Sequence, residues 1–207
     1  MYKGTAVIGV LAAIATAAPQ AQAAGLVDDF AARTEGALVS FHYTMRLKGS
    51  IPLTAEGDVV YKGEAYRAVG NGMELVSDGV TRWTADNAAK ELYVENASDG
   101  DDMLLTSPSA LIKDLDKAFV RGPEKPSSFS GKSAVSVDLT PISEGSGIKA
   151  MTVFFVSGAP IGAEVTSPDG TVTLVTISRL SISSGPEPSF SYDASSLGAD
   201  WVITDLR

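Results

Sequence analysis

Four places in the chain bring together residue types that could do chemistry. His42 is the single histidine. Ser/His/Asp catalysis needs an imidazole within hydrogen-bond reach of both a nucleophile and a carboxylate. The sequence around His42 alternates, and His42 falls on its polar side, so it reads as a solvated strand residue. Ser146 and Lys149 have a Ser-x-x-Lys spacing. They sit in a Gly-Ser-Gly turn rather than at a helix start, where that motif works. Asp99, Asp101 and Asp102 could hold calcium weakly, but the spacing of a calcium loop and its distal Glu are missing. A solvated acidic loop is the expectation there. Gly70-Asn71-Gly72 is a turn and not a phosphate cradle, since no helix and no complete Gly-x-Gly-x-x-Gly follows. The chain is therefore expected to have no catalytic residues, no metal site and no cofactor, and not to be an enzyme.

Composition narrows the class further. With 207 residues the chain is long enough for one domain with a real core. A formal charge of -9 argues against nucleic acid, because phosphate binding needs a basic patch. It also argues against anionic membrane surfaces. The absence of cysteine excludes disulfides, thiolate metal sites, a Cys nucleophile and a lipid-modified N-terminal Cys. Residues 1–23 read as a signal peptide. Lys3 supplies the positive charge, Ala6 to Ala18 is apolar and small, and Ala21-Gln22-Ala23 fits the cleavage pattern. Cleavage after Ala23 would leave residues 24–207 as a single domain outside the cytoplasm, expected to be a monomer.

The elements that must position any site are mostly strands. Asn71-Gly72 and Asp78-Gly79 lie between short apolar runs, and Lys62-Gly63 and Asp86-Asn87 mark further turns. The stretch from Gly57 to Val94 is thus a β-meander. Before it, Leu26 to Ala37 is a short amphipathic helix candidate and Val39 to Leu47 alternates with period two. After it, Met103 to Phe119 has helical apolar spacing, with Ser107 or Ser109 as cap and Pro108 in the first turn. Gly122 to Lys132 is Pro-, Ser- and Gly-rich and reads as a loop. Strands resume at Ser133–Leu139, Ala150–Val156, Ile161–Thr166 and Thr171–Ser183. Val172, Leu174, Leu180 and Ile182 are placed on one side of the last, and Val175 and Ile177 on the other. Phe190–Asp193 is a short strand, and Trp201–Ile203 begins the tail. The fold class is mainly β: an antiparallel sheet of about eleven strands with two or three α-helices on one face.

One strand face is richer in Met and aromatic residues than in branched aliphatics. Tyr43, Met45, Tyr61, Tyr66, Met73 and Trp83 are the clearest cases, and Phe41, Val59, Leu75, Leu92 and Phe154 complete the set. Flexible Met and planar rings suit surfaces that adapt to varied apolar ligands. The same pattern also fits a sheet packed on helices with no hole, since cavities and cores share it.

Several stretches resemble the periplasmic lipoprotein carriers of the LolA family. They are Gly57 to Lys62, Tyr66-Arg67, Val76-Ser77-Asp78-Gly79-Val80-Thr81-Arg82-Trp83, and Thr106 to Ile112. The closing Phe190 to Asp193 and Val202 to Arg207 are similar to family endings. The Ser-Asp-Gly…Trp hairpin is the most specific piece. The resemblance implies an incomplete half β-barrel closed by helices, around a cavity for lipoprotein acyl chains. It implies a lid carrying Leu104, Leu105, Pro108, Leu111, Ile112 and Leu115. It implies transfer toward the outer membrane, with an inner-membrane releasing complex and an outer-membrane acceptor as partners. The family's turn arginine, which tethers the lid helices, aligns with Gly63, and Arg67 is the nearby candidate for that role. The second strand also lacks a family-like Pro. A regulatory lipoprotein- or lipid-sensing module of the same fold, without carrier activity, is the alternative.

Overall fold

The computed structural model of the chain describes residues 25–48, 53–97, 115–143 and 147–207, with the side chain of residue 117 outside the description. The expected signal peptide, most of the expected lid (Leu104, Leu105, Pro108, Leu111 and Ile112), the acidic cluster Asp99/Asp101/Asp102 and Ser146 lie outside the described residues. One large open sheet dominates, not closed into a barrel, with few helices, as a half-barrel requires.

Helix α1 spans Leu26–Thr34. Asp28 and Asp29 sit in its first turn, where carboxylates favour the helix dipole. Gly25 offers no capping side chain, and Glu124 fills that role from a distance: its Oε1 accepts from the Leu26 N–H at 2.6 Å. The meander follows as β1 (Leu38–Lys48), β2 (Thr54–Lys62), β3 (Ala65–Gly70), β4 (Met73–Ser77), β5 (Thr81–Asp86) and β6 (Glu91–Asn96). The β3–β4 hairpin turns on Asn71 and Gly72 with φ of 52° and 79°, the left-handed pair that matches strand twist. Helix α2 (Leu115–Ala118) leads directly into β7 (Phe119–Arg121). Helical spacing therefore runs one residue too far in the sequence reading, since Phe119 belongs to a strand. Next come β8 (Lys125–Phe129), β9 (Lys132–Pro141), β10 (Ala150–Val156), β11 (Ala159–Thr166) and β12 (Val172–Ser183). A 3-10 turn at Ala194–Ser196 and β13 (Val202–Asp205) close the chain.

The strand order is β13-β6-β5-β4-β3-β2-β1-β12-β11-β10-β9-β7, with β8 also on β9. Every pairing is antiparallel except β13 on β6. Strand β8 corrects the expected loop at 122–132. An outer strand accepts Pro126, because its missing N–H is not needed by the ladder. Phe190 to Asp193 is not a strand. Phe190 is buried there, and Asp193 caps the 3-10 turn at the Ser195 N–H, 3.0 Å away.

Directly paired residues share a face of a sheet. One face carries Val39, Tyr61, Tyr66 and Ser77 in one row, and Phe41, Val59, Ala68 and Leu75 in the next. A third row holds Tyr43, Gly57, Gly70 and Met73. Two core clusters lie on this apolar face. Phe30 and Leu115 pack with Val137, Leu139, Met151, Phe155 and Val165 in one; Val39, Val59, Tyr61 and Tyr66 form the other. Leu180 touches both. It reaches this side because β12 bulges: Ser178 faces His42 and Ser181 faces Ser40, so Arg179 and Leu180 share one partner position. The bulge moves Leu180 and Ile182 to the side of Val175 and Ile177, against the strict alternation expected from the sequence.

Candidate functional site

The apolar face is covered at its flanks and less so in its middle. Tyr61, beside Thr34 of α1, and Tyr66 are each 4% exposed. Burial pushes the Tyr61 phenol up to about 12, with the nearby Thr34 hydroxyl offsetting part of the rise. Thr34 Oγ1 itself donates to the Phe30 and Ala31 carbonyls at 3.0 and 3.1 Å, and among the described residues no hydrogen bond of normal geometry reaches Tyr61 Oη. Tyr66 is raised too, by burial first, against the Arg82 cation.

In the following rows along the strands, Phe41, Tyr43, Met45, Met73 and Leu75 are only half-buried. Gly57 and Gly70 pair directly between Tyr43 and Met73. A Cβ on Gly57 would lie 2.5 Å from the Val69 carbonyl and 2.9 Å from the Tyr43 ring and hydroxyl. The ring thus rests across bare backbone, in space that only glycine leaves open. Burial raises the Tyr43 phenol, and the Asp58 carboxylate adds to the rise. Met45 lies in a fourth row, which runs through Val175, Ala163 and Val153. Composition missed Gly57, Gly70 and Ala68; their signal is that small residues repeat on one side of adjacent strands.

Of the residues expected to line a cavity, the structure brings together Phe41, Tyr43, Met45, Val59, Tyr61, Tyr66, Met73 and Leu75. It does not bring in three others. Trp83 pairs with Val76 and Val94, on the opposite face. Leu92 pairs with Ala85 on that same side. Both pack under Tyr192, Ala194, Leu197 and Trp201 of the C-terminal segment. Phe154 pairs with Ser136 and Gly162 and stacks on Phe129, centroids 4.6 Å apart, again on the opposite face. Of the expected lid, Leu115 is described and is buried in the α1 cluster. Arg67 also points to the opposite face, beside Val60 and Val76, where it is ion-paired with Glu74.

No family model and no curated protein matches the sequence. Solved structures do match. An uncharacterised conserved protein from Thermus thermophilus aligns over 86% of this chain and 96% of its own, at 10% identity and a TM-score of 0.55. The two chains share a fold. A LolA superfamily protein from Nitrosomonas europaea aligns over 82% and 97%, at 11% identity and a TM-score of 0.43. MucB aligns over 85% of this chain and 64% of its own, at 16% identity and a TM-score of 0.46. LolA superfamily and lipoprotein-sorting proteins are thus among the structural neighbours of this chain.

Beyond the apolar face, Arg121 of β7 joins two helices. It donates to Asp28 of α1 at 2.7 Å and to Asp116 of α2 at 2.6 Å. Its hydrogen bond holds the Asp28 carboxyl below the usual range. This network ties α1 and α2 to β7.

Proposed function

We propose that the chain is a carrier that shields acyl chains of lipoproteins or other lipids on its apolar face, outside the cytoplasm. The observation that supports this most is the continuity of that face. It runs from Leu75 through Phe41 to Met45 and on to Val153, buried at both flanks and half-buried between them. Each methylene taken from water contributes about 0.8 kcal/mol, so an acyl chain laid along these rows needs no covalent chemistry to be held. Met45 and Met73 adapt to chains of different shape. Residues 103–114 are the proposed lid, with Leu104, Leu105, Leu111 and Ile112 as the side chains that would meet the ligand. Release to an outer-membrane acceptor, and loading from an inner-membrane complex, complete the reading.

Native mass spectrometry of protein purified from its own compartment is expected to show co-purified lipid or lipopeptide. Phe41→Glu places a carboxylate in the middle of the face and is expected to weaken binding of an apolar dye without loss of strand content. A folded Phe41→Glu protein with the dye affinity of the parent would refute the assignment of this face.

A further inference from the structure

The opposite face carries a second feature, independent of the lipid reading. Ser40, His42, Asp58, Val60, Arg67, Val69 and Arg179 line an open depression of about 310 Å³. The register explains its shape. Arg67, Val60 and Ser40 lie in one row across β3, β2 and β1, and Val69, Asp58 and His42 lie in the next. The short side chains of Ser40 and Val60 thus sit between longer ones. From the far side of β1, Arg179 reaches over to Asp58, with its Nη2 3.0 Å from Oδ1. The same carboxylate oxygen lies 3.1 Å from His42 Nδ1.

Arg179 is unusual on two counts. It occupies the bulge of β12, and its φ is +54°, a left-handed value that is costly for any residue with a Cβ. Bulges re-aim side chains, and strained backbone is retained where the side chain is needed. The Arg179–Asp58 pair is itself exposed, 67% and 70%, so it contributes little to stability. Such a pair opens easily for a competing anion. On the other rim Arg67 is oriented by Glu74, which is itself mostly buried. A guanidinium has five donors, and one carboxylate leaves several of them free. Two arginines thus line one depression, Arg67 on β3 and Arg179 on β12, with His42 on the intervening strand β1. A planar carboxylate is satisfied by a single fork, whereas a tetrahedral oxyanion presents oxygens in several directions.

We propose that this depression binds a phosphoryl group, with Arg67 and Arg179 as the two clamps and Asp58 as the internal anion that the ligand displaces. The phosphoryl group could come from a soluble phosphate ester or from a phospholipid headgroup, and the test separates the two. The full chain is titrated with inorganic phosphate and with glycerol phosphate, followed by the His42 ring and Ser40 amide resonances, and then with vesicles of phosphatidylglycerol or of neutral lipid.

Saturable binding is expected. Arg179→Gln and Arg67→Gln are each expected to weaken it about tenfold, the loss of a charge-assisted contact. Asp58→Asn is expected to tighten it, because the competing carboxylate is gone; a purely structural role would not give that sign. Circular dichroism confirms that each variant is folded. Saturation by the soluble esters assigns a soluble ligand, and saturation by phosphatidylglycerol vesicles alone assigns a headgroup. Absence of saturable binding to any of these probes overturns the proposal. So does equal binding to neutral vesicles, or an affinity unchanged in folded Arg179→Gln and Arg67→Gln.

Discussion

Removing the Tyr61 hydroxyl tests the packing of α1 on the apolar face. The phenol is buried and its hydroxyl has no well-formed hydrogen bond among the described residues. A bonded tyrosine hydroxyl contributes about 1 kcal/mol, whereas an unsatisfied buried one costs about 1–3 kcal/mol. Tyr61→Phe is therefore expected to leave stability at neutral pH unchanged or raised. The second magnitude comes from pH. The folded phenol titrates at about 12, against about 10 in the unfolded chain. Below pH 10 both states are protonated and the group adds no pH dependence. Between pH 10 and 12 the unfolded chain loses its proton first, so stability falls as pH rises. At about 1.4 kcal/mol per unit, the fall amounts to roughly 2–3 kcal/mol. Urea unfolding of both proteins at neutral pH and across this window, with tyrosinate absorbance as a second probe, reads both effects. Tyr43 and Tyr66 are raised in the same direction, so part of the alkaline fall persists in the variant. A variant less stable by about 1 kcal/mol or more at neutral pH would mean that the hydroxyl is bonded. An alkaline fall identical in both proteins would mean that Tyr61 is not buried under α1.

Other perturbations have definite signs. Gly57→Ala drives a Cβ into the Val69 carbonyl and the Tyr43 ring and is expected to cost about 1–3 kcal/mol in urea midpoint analysis. Gly57→Ala with Tyr43→Ala is expected to recover only the ring part. Asp28 is held below its ordinary pKa by Arg121, and Asp138 by Lys125 and Thr152. Their stabilisation is present above the unfolded carboxylate value and is lost as pH falls through the folded one. Arg121→Gln should remove the Asp28 share, at most about 1 kcal/mol for so exposed a carboxylate, seen as a smaller loss of stability below roughly pH 4. Both tryptophans, Trp83 and Trp201, lie in the cluster under the C-terminal segment. Their fluorescence is expected to stay constant when an apolar ligand binds beside Phe41, and to shift in Leu197→Ala.

The meander was legible because its turns are chemically explicit. Asn71 and Gly72 both take positive φ, and β1 extends the expected Val39–Leu47 by one residue at each end. The faces were also partly legible, and residue type obscured them. With Tyr66 on the apolar face, the two-residue turn puts Met73 and Leu75 there as well. The even-length turn after Ser77 then carries Thr84 to that face and Trp83 to the other. Grouping Trp83 with the tyrosines by its aromatic character ignored that parity. Leu92 follows Trp83 for the same reason. Phe154 was not legible in this way. Adjacent phenylalanines 154 and 155 occupy opposite faces, and which is which depends on pairing with strands far along the chain. A register shift between them in the β10–β11 ladder changes the parity on the neighbouring strand. The β8 edge was hidden by Pro126, whose effect on a strand depends on whether it is central or outermost.

The β12 bulge brings these threads to a test. Without Arg179 the strand would read Ile177, Ser178, Leu180, Ser181, Ile182, a strict alternation that keeps Leu180 and Ile182 on the apolar face opposite Phe41 and Val39. The extra residue is thus not needed to place either Leu180 or Ile182. It adds a left-handed residue, at a cost of about 1–2 kcal/mol, and a guanidinium over the depression. Deleting Arg179 is therefore expected to preserve the sheet and to leave stability equal or higher by about that cost. Phosphate affinity should fall to the level of Arg179→Gln, while apolar dye binding on the other face stays as it was. Urea unfolding, phosphate titration and dye titration of the deletion protein make the three readings. If the deletion protein unfolds or loses dye binding, the bulge serves the coiling of the sheet rather than the aim of Arg179. If it is stable and still binds phosphate as the parent does, Arg179 is not a clamp.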